Sequence, residues 1–304
     1  MAFVSSYLAL YESGKLNKIT DEVKKIVYQC TLCPHRCKVD RSVDRSGFCR
    51  SGMLPIVSSW NAHFGEEAVL VGENGSGTIF FTNCNLHCIY CQNYEISQLG
   101  YGKEVSFDDL ARMMVDLQKR GCHNINFVTP THMVYAILEA LLIAVPRGLT
   151  VPLVYNTGGY DSVETLSLLE SVFDIYMPDI KYADADTGYE LSGISDYPAV
   201  SQNAVREMHD QVGDLALDPS GVARRGLLVR HLVLPNNRAG SKKVIDFCAE
   251  LSKNTYLNLM DQYHPAYRAR ECTDLGRRVT VDEYEQTVRY AIARGLRRLD
   301  GIRL

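Results

Sequence analysis

The chain has 304 residues, 46% hydrophobic and 22% charged, with 32 Lys and Arg against 36 Asp and Glu for a net charge of −4. That balance offers no polybasic surface for nucleic acid or an anionic membrane, and the longest apolar run, residues 140–145, is too short to span a bilayer. The opening residues lack the basic segment and apolar run of a signal peptide, so ten cysteines in a cytoplasmic chain favour metal ligation over disulfides.

In chain order, a short amphipathic segment comes first, followed by a cysteine-dense loop before about residue 54. Cys30-x2-Cys33-Pro34-x2-Cys37 is joined by Cys49 after Gly47. Four thiolates with one C-x2-C pair suit either a closed tetrahedral zinc site or a four-cysteine [4Fe–4S] cluster. The segment is too small to fold on a hydrophobic core alone, so a metal would supply the missing stability. His63, Glu66 and Glu67 then read as a solvated or packing feature. Two domains are expected: a cysteine-rich metal-binding module over 1–60 and a barrel over 61–304.

From Thr78 onward, apolar strands alternate with helices. Strands are expected at 78–81, 124–128, 152–155, 173–177, 227–234 and 256–260, each short and rich in β-branched, aromatic or aliphatic residues. The clearest helix starts at Ser106, with Asp109 as a capping-box partner and apolar Phe107, Leu110, Met114 and Leu117 on one side. Others are expected at 134–145, 163–169, 199–212, 241–251 and 281–293. Six β–α units imply an α/β fold with a parallel sheet, right-handed crossovers and helices outside. Polar clusters close five of the strands: Thr129-Pro130-Thr131-His132, Asn156-Thr157-Gly158-Gly159, Asp179-Ile180-Lys181, Pro235-Asn236-Asn237 and Gln262-Tyr263-His264. In parallel β/α architectures that is the end where ligand and catalytic groups gather.

The first strand runs into Cys84-Asn85-Leu86-His87-Cys88-Ile89-Tyr90-Cys91. Three thiolates spaced C-x3-C-x2-C on one loop can hold three irons of a cubane cluster, leaving the fourth open to another ligand. Asn85, Leu86 and His87 read as spacers, and Cys122, Cys248 and Cys272 as isolated thiols. The loop resembles the signature of the radical S-adenosylmethionine (radical SAM) superfamily. That resemblance implies an incomplete (β/α)6 barrel, a [4Fe–4S] cluster and SAM as cofactors, and a low-potential flavodoxin- or ferredoxin-like electron donor. It implies reductive cleavage of SAM to methionine and a 5′-deoxyadenosyl radical that abstracts hydrogen from a substrate.

A narrower resemblance joins Asp179-x-Lys181, the strand Arg230-His231-Leu232-Val233-Leu234-Pro235, Tyr155-Asn156-Thr157-Gly158-Gly159 and Tyr263-His264. Together with the N-terminal Cys-x-x-Cys-Pro segment, these are similar to the glycyl-radical-enzyme-activating enzymes and their pyruvate formate-lyase activating enzyme-like branch. A glycine of a partner protein is the substrate this implies. Radical modification of a peptide, nucleoside or small molecule is the alternative, and a non-catalytic iron–sulfur or zinc protein is an alternative of another class. One departure stands out: Thr129-Pro130-Thr131 replaces the Gly-Gly-Glu turn that receives SAM's amino group in the activases. Threonine hydroxyls and backbone carbonyls accept hydrogen bonds but bring no negative charge.

The residue roles follow from that chemistry. Cys84, Cys88 and Cys91 are the cluster ligands. Lys181 and Arg230 are candidates for SAM's carboxylate, or alternatively members of a structural ion-pair network with Asp179. Asn156 is a candidate for ribose or carboxylate contact, and Thr129 and Thr131 for the amino group. Tyr90 packs beside the adenine or the cluster, and His264 is either an adenine-side contact or a core histidine.

Overall fold

The computed structural model describes residues 3–302. In chain order its elements are α1 (Ser6–Glu12), α2 (Lys15–Val27), β1 (Ile56–His63), α3 (Ala68–Val71), β2 (Ser76–Phe81), α4 (Tyr94–Ser97), β3 (Lys103–Glu104) and α5 (Phe107–Lys119). There follow β4 (Ile125–Val128), α6 (Val134–Ala144), β5 (Leu153–Thr157), α7 (Val163–Leu168), β6 (Ile175–Pro178), α8 (Ala185–Ser192) and α9 (Tyr197–Val212). The chain closes with β7 (Ala216–Leu217), β8 (Ala223–Leu232), α10 (Ser241–Leu251), β9 (Tyr256–Met260) and α11 (Val281–Ala293).

Six strands, β2-β4-β5-β6-β8-β9, pair in parallel in that order. They form the expected open α/β sheet, an incomplete (β/α)6 barrel. Strand parity sets its two faces. Ile79, Phe81, Ile125, Phe127, Leu153, Tyr155, Tyr176 and Val229 join the core shared with the helices. The alternate residues Val154, Ile175, Met177 and Leu228 point into the barrel, since successive side chains of a strand face opposite ways. The Ser106 start is as read: its hydroxyl accepts from the Asp109 N–H at 3.0 Å, and the Asp109 carboxylate accepts in return, closing a capping box.

Three features depart from expectation. An eight-residue strand, β1, pairs antiparallel with β2 and crosses residue 60, so the N-terminal segment is continuous with the barrel sheet. Helices α1 and α2 pack onto the barrel with their own apolar faces: Tyr7, Leu16, Val23 and Val27 are fully buried in the main core. The Ser6 N–H and hydroxyl both donate to Asp174 at the foot of β6, at 2.9 Å each. Finally, α3 lies inside the amino-terminal end of the barrel, where Val69 and Leu70 pack on Val154, Ile175 and Leu228. The Asn124 side-chain amide donates to the Leu70 carbonyl at 2.9 Å, tying this plug to the start of β4. No helix among the described residues is long and apolar enough to cross a membrane.

Candidate active site

At the carboxyl ends of the strands lies a cavity of about 140 Å³ lined by Cys84, Cys88, Cys91, Thr129, Asn156, Asp179, Lys181 and Arg230. Eight of the eleven cysteine-loop and strand-end residues singled out above therefore face one space. The turn after β5 explains how the loop comes so close. Gly159 has φ +82°, and a Cβ there would stand 2.2 Å from the Asp179 carbonyl. A Cβ on Gly158 would meet Leu86 of the cysteine loop at 2.7 Å. Position 159 therefore requires glycine, while a larger residue at 158 would have to push the Leu86 side chain aside.

Each of the three thiols already has a donor or a hydroxyl beside it. The Leu86 N–H donates to Cys84 Sγ at 3.3 Å, the Ser192 hydroxyl to Cys88 Sγ at 3.1 Å, and Ser97 Oγ lies 3.1 Å from Cys91 Sγ. Burial pushes the Cys84 thiol up to about 12, helped by the neighbouring sulfurs, and burial raises Cys91 as well. A site that disfavours bare thiolates while offering hydrogen bonds to their sulfurs fits a cationic iron centre, which would hold the thiolates in place.

Beside the sulfurs, Asp179 accepts from Lys181 Nζ at 2.7 Å and from Arg230 Nε at 2.8 Å. Burial alone would raise this carboxyl, but Arg230 and Lys181 more than offset that and hold it below the usual aspartate range. Arg230 also donates to Asn156 Oδ1 at 2.7 Å. Its remaining edge lies 3.9 and 3.8 Å from the carboxylates of Glu66 and Glu67. These two acids are therefore not solvated. Their side chains are 8% and 3% exposed and sit inside the barrel, because the chain dives inward between β1 and α3. Glu67 also accepts from the Asn258 amide at 2.9 Å. Burial raises the Glu66 carboxyl despite Arg230. Sequence reading missed this layer because two adjacent acids after Gly65 look like surface until Arg230 is folded against them.

The other three residues face elsewhere. Thr131 turns away from the cavity and donates to Asp161 Oδ1 at 2.7 Å, in a buried network where Tyr155 and Thr157 donate to the same carboxylate. Tyr90 is buried beneath the loop, edge-on to Tyr182 and Tyr263 at 6.2 and 6.0 Å. His264 is neither a core histidine nor a lining residue: it is exposed and lies 3.1 Å from the Gln92 amide. The preceding Tyr263 takes the buried position, its hydroxyl donating to the Leu275 carbonyl.

All four N-terminal cysteines are free thiols, Cys30 and Cys33 buried, Cys37 and Cys49 half-buried. Among the described residues, no three His, Cys, Asp or Glu side chains converge tightly enough to share a single metal ion.

A match to the model of the radical SAM superfamily covers residues 78–212, which run from within β2 through the cysteine loop to the end of α9. An uncharacterized protein of Methanocaldococcus jannaschii is 33% identical over 291 residues, spanning 92% of this chain and 80% of the relative. The chain belongs to the radical SAM superfamily. Membership implies a [4Fe–4S] cluster and SAM. Among solved structures, Streptococcus suis SuiB bound to the precursor peptide SuiA is similar over 69% of this chain, at 13% identity and a TM-score of 0.47. Native anSMEcpe, with bound AdoMet and the Cp18Cys peptide, is similar over 70%, at 12% identity and a TM-score of 0.48. The chain spans only 43% and 56% of those two structures.

Proposed function

We propose that this chain is a radical SAM enzyme that cleaves SAM reductively at Cys84, Cys88 and Cys91 and abstracts hydrogen from a substrate. The observation that carries this reading is the single cavity shared by three hydrogen-bonded thiols and an Asp179–Lys181–Arg230 triad. Cys84, Cys88 and Cys91 would hold a [4Fe–4S] cluster, which would supply the electron for dividing SAM into methionine and a 5′-deoxyadenosyl radical.

The protein's part is binding and orientation. Arg230 spends its donors on Asp179 and Asn156 and is flanked by Glu66 and Glu67, so it acts as the rigid back wall. The Lys181 ammonium has Asp179 as its one hydrogen-bond partner among the described residues and keeps two hydrogens for SAM's carboxylate. Thr129, in the same wall, offers hydroxyl and carbonyl acceptors to the amino group. The electron comes from a low-potential flavodoxin- or ferredoxin-like donor. The finer reading, which rests on the sequence resemblance, is that hydrogen is taken from a glycine of a partner protein. The four N-terminal thiols are proposed to hold a second metal centre, zinc or cluster.

Anaerobic reconstitution and assay for 5′-deoxyadenosine with a low-potential reductant tests the reaction. Wild type should form it, and the Cys84→Ala, Cys88→Ala, Cys91→Ala triple variant should not. Product from the triple variant refutes the assignment.

A further inference from the structure

Between α2 and β1 the chain runs through the four N-terminal cysteines with no helix or strand of its own. A connection of that length without secondary structure is uncommon in a compact domain and, where ordered, usually serves a function. The segment folds back on itself so that its thiols come near one another: Cys30 exchanges backbone hydrogen bonds of 2.9 Å with Lys38 and Val39, just past Cys37, and Cys37 lies against Gly47 and Phe48, just before Cys49. A backbone N–H also points at one of the sulfurs: Phe48 donates to Cys37 Sγ at 3.3 Å. A backbone donor on a cysteine sulfur is also what Leu86 provides for Cys84 in the catalytic loop.

This thiol-rich segment grips the catalytic loop at two points. His35 Nε2 meets the Asn85 carbonyl at 2.9 Å. Its ring stacks on Phe48, centroids 3.8 Å apart, and Phe48 stacks on His87 at 4.1 Å. His87 Nε2 is buried without a partner, so stacking is what holds that ring. On the other side, buried Arg41 binds the Ser51 and Gly52 carbonyls and donates to the His132 carbonyl at 2.7 Å. His132 Nε2 in turn lies 2.9 Å from the Thr82 carbonyl, two residues before Cys84. The spacers Asn85 and His87 are thus handles, and nothing in their spacing announced it.

We propose that Cys30, Cys33, Cys37 and Cys49 bind a thiolate-ligated metal centre, and that this centre is the cross-link that fixes the His35–Phe48 clamp on the Cys84–Cys88 loop. Occupancy of the N-terminal site then sets how firmly the catalytic loop retains its own iron. The four sulfurs must lose their protons and turn toward a common centre for this. Zinc and iron satisfy the same chemistry, and the coupling rests on the reading that Cys84, Cys88 and Cys91 hold a cluster.

Four full-length proteins, loaded anaerobically with zinc sulfate or with ferrous iron and sulfide, decide it. They are wild type, the Cys84→Ala, Cys88→Ala, Cys91→Ala triple variant, that triple variant with Cys33→Ser added, and His35→Ala, Phe48→Ala, which keeps every cysteine. Zinc and iron per chain are measured by mass spectrometry, clusters by electron paramagnetic resonance after reduction, and folding by circular dichroism. The triple variant should retain one centre, its metal telling zinc from cluster, and adding Cys33→Ser should abolish it. The clamp variant should keep that centre but surrender the catalytic-loop iron to a chelator roughly tenfold to hundredfold faster than wild type, as when groups that orient metal ligands are removed. A triple variant that binds neither metal overturns the site, and a clamp variant releasing iron at the wild-type rate overturns the coupling. Equal iron in wild type and triple variant, with the N-terminal centre present, refutes instead the cluster reading on which the coupling depends.

Discussion

Asp179→Asn should be among the most destabilising isosteric changes in this chain. The carboxylate is 14% exposed and joins Lys181 and Arg230, themselves 19% and 16% exposed, through bonds of 2.7 and 2.8 Å. Hydrogen bonds to charged groups contribute about 1.5–3 kcal/mol each, and breaking a buried pair from one side costs about 3–5 kcal/mol. Asparagine keeps one acceptor oxygen, and Arg230 keeps Glu66 and Glu67, so the loss should come to about 3 kcal/mol and fall mainly on stranded Lys181. Urea unfolding of Asp179→Asn, Lys181→Met and the double variant separates the terms. The double variant should recover much of the loss, because the uncompensated ammonium is gone. The pH dependence has a definite sign. The folded-state carboxyl lies below its unfolded value of about 3.9, so its contribution is complete above that value and is lost as pH falls through the folded one. The gap between wild type and Asp179→Asn should thus be flat from about pH 5 to 8 and shrink only below about pH 4. A gap under about 0.5 kcal/mol, or one that widens in acid, refutes the reasoning.

Lys181→Ala should weaken SAM binding by about 30-fold to several-thousand-fold with the reconstituted cluster's spectrum unchanged, read by equilibrium binding. Leu70→Ala, fully buried in the plug, should cost about 2–5 kcal/mol in urea melts. Thr131→Val leaves buried Asp161 with Tyr155 and Thr157 as its donors and should cost about 1–3 kcal/mol, with SAM affinity close to wild type.

What the sequence disclosed was what is local. β9 falls at Tyr256–Met260 as read, because a short apolar run there is bounded by polar turns. The Ser106 and Asp109 side chains write the start of α5 into four residues. β1 was hidden because Ile56 to His63 is mostly half-exposed and its register slips between Val57 and Ser59, which blurs the period-two pattern. The acidic, glycine-containing α8 carried no clear periodicity either. In the site, residues on the strand ends and the cysteine loop could be named because the chemistry demands those types there. Glu66, Glu67, His35 and Phe48 could not, since their meaning lies in partners far away in the chain. Tyr263 and His264 show the limit from the other side: two adjacent polar rings were visible, but which one faces inward is decided by packing.

The plug at α3 bears on traffic. With Val69 and Leu70 stoppering the amino-terminal end, the catalytic cavity opens where the strand ends and the cysteine loop meet. On the reading proposed above, a cofactor seated against the sulfurs would have to enter before a substrate approaching from the same side, and leave after it. On that reading turnover would be a last-in, first-out sequence, and a tightly held substrate would slow it by blocking the exit.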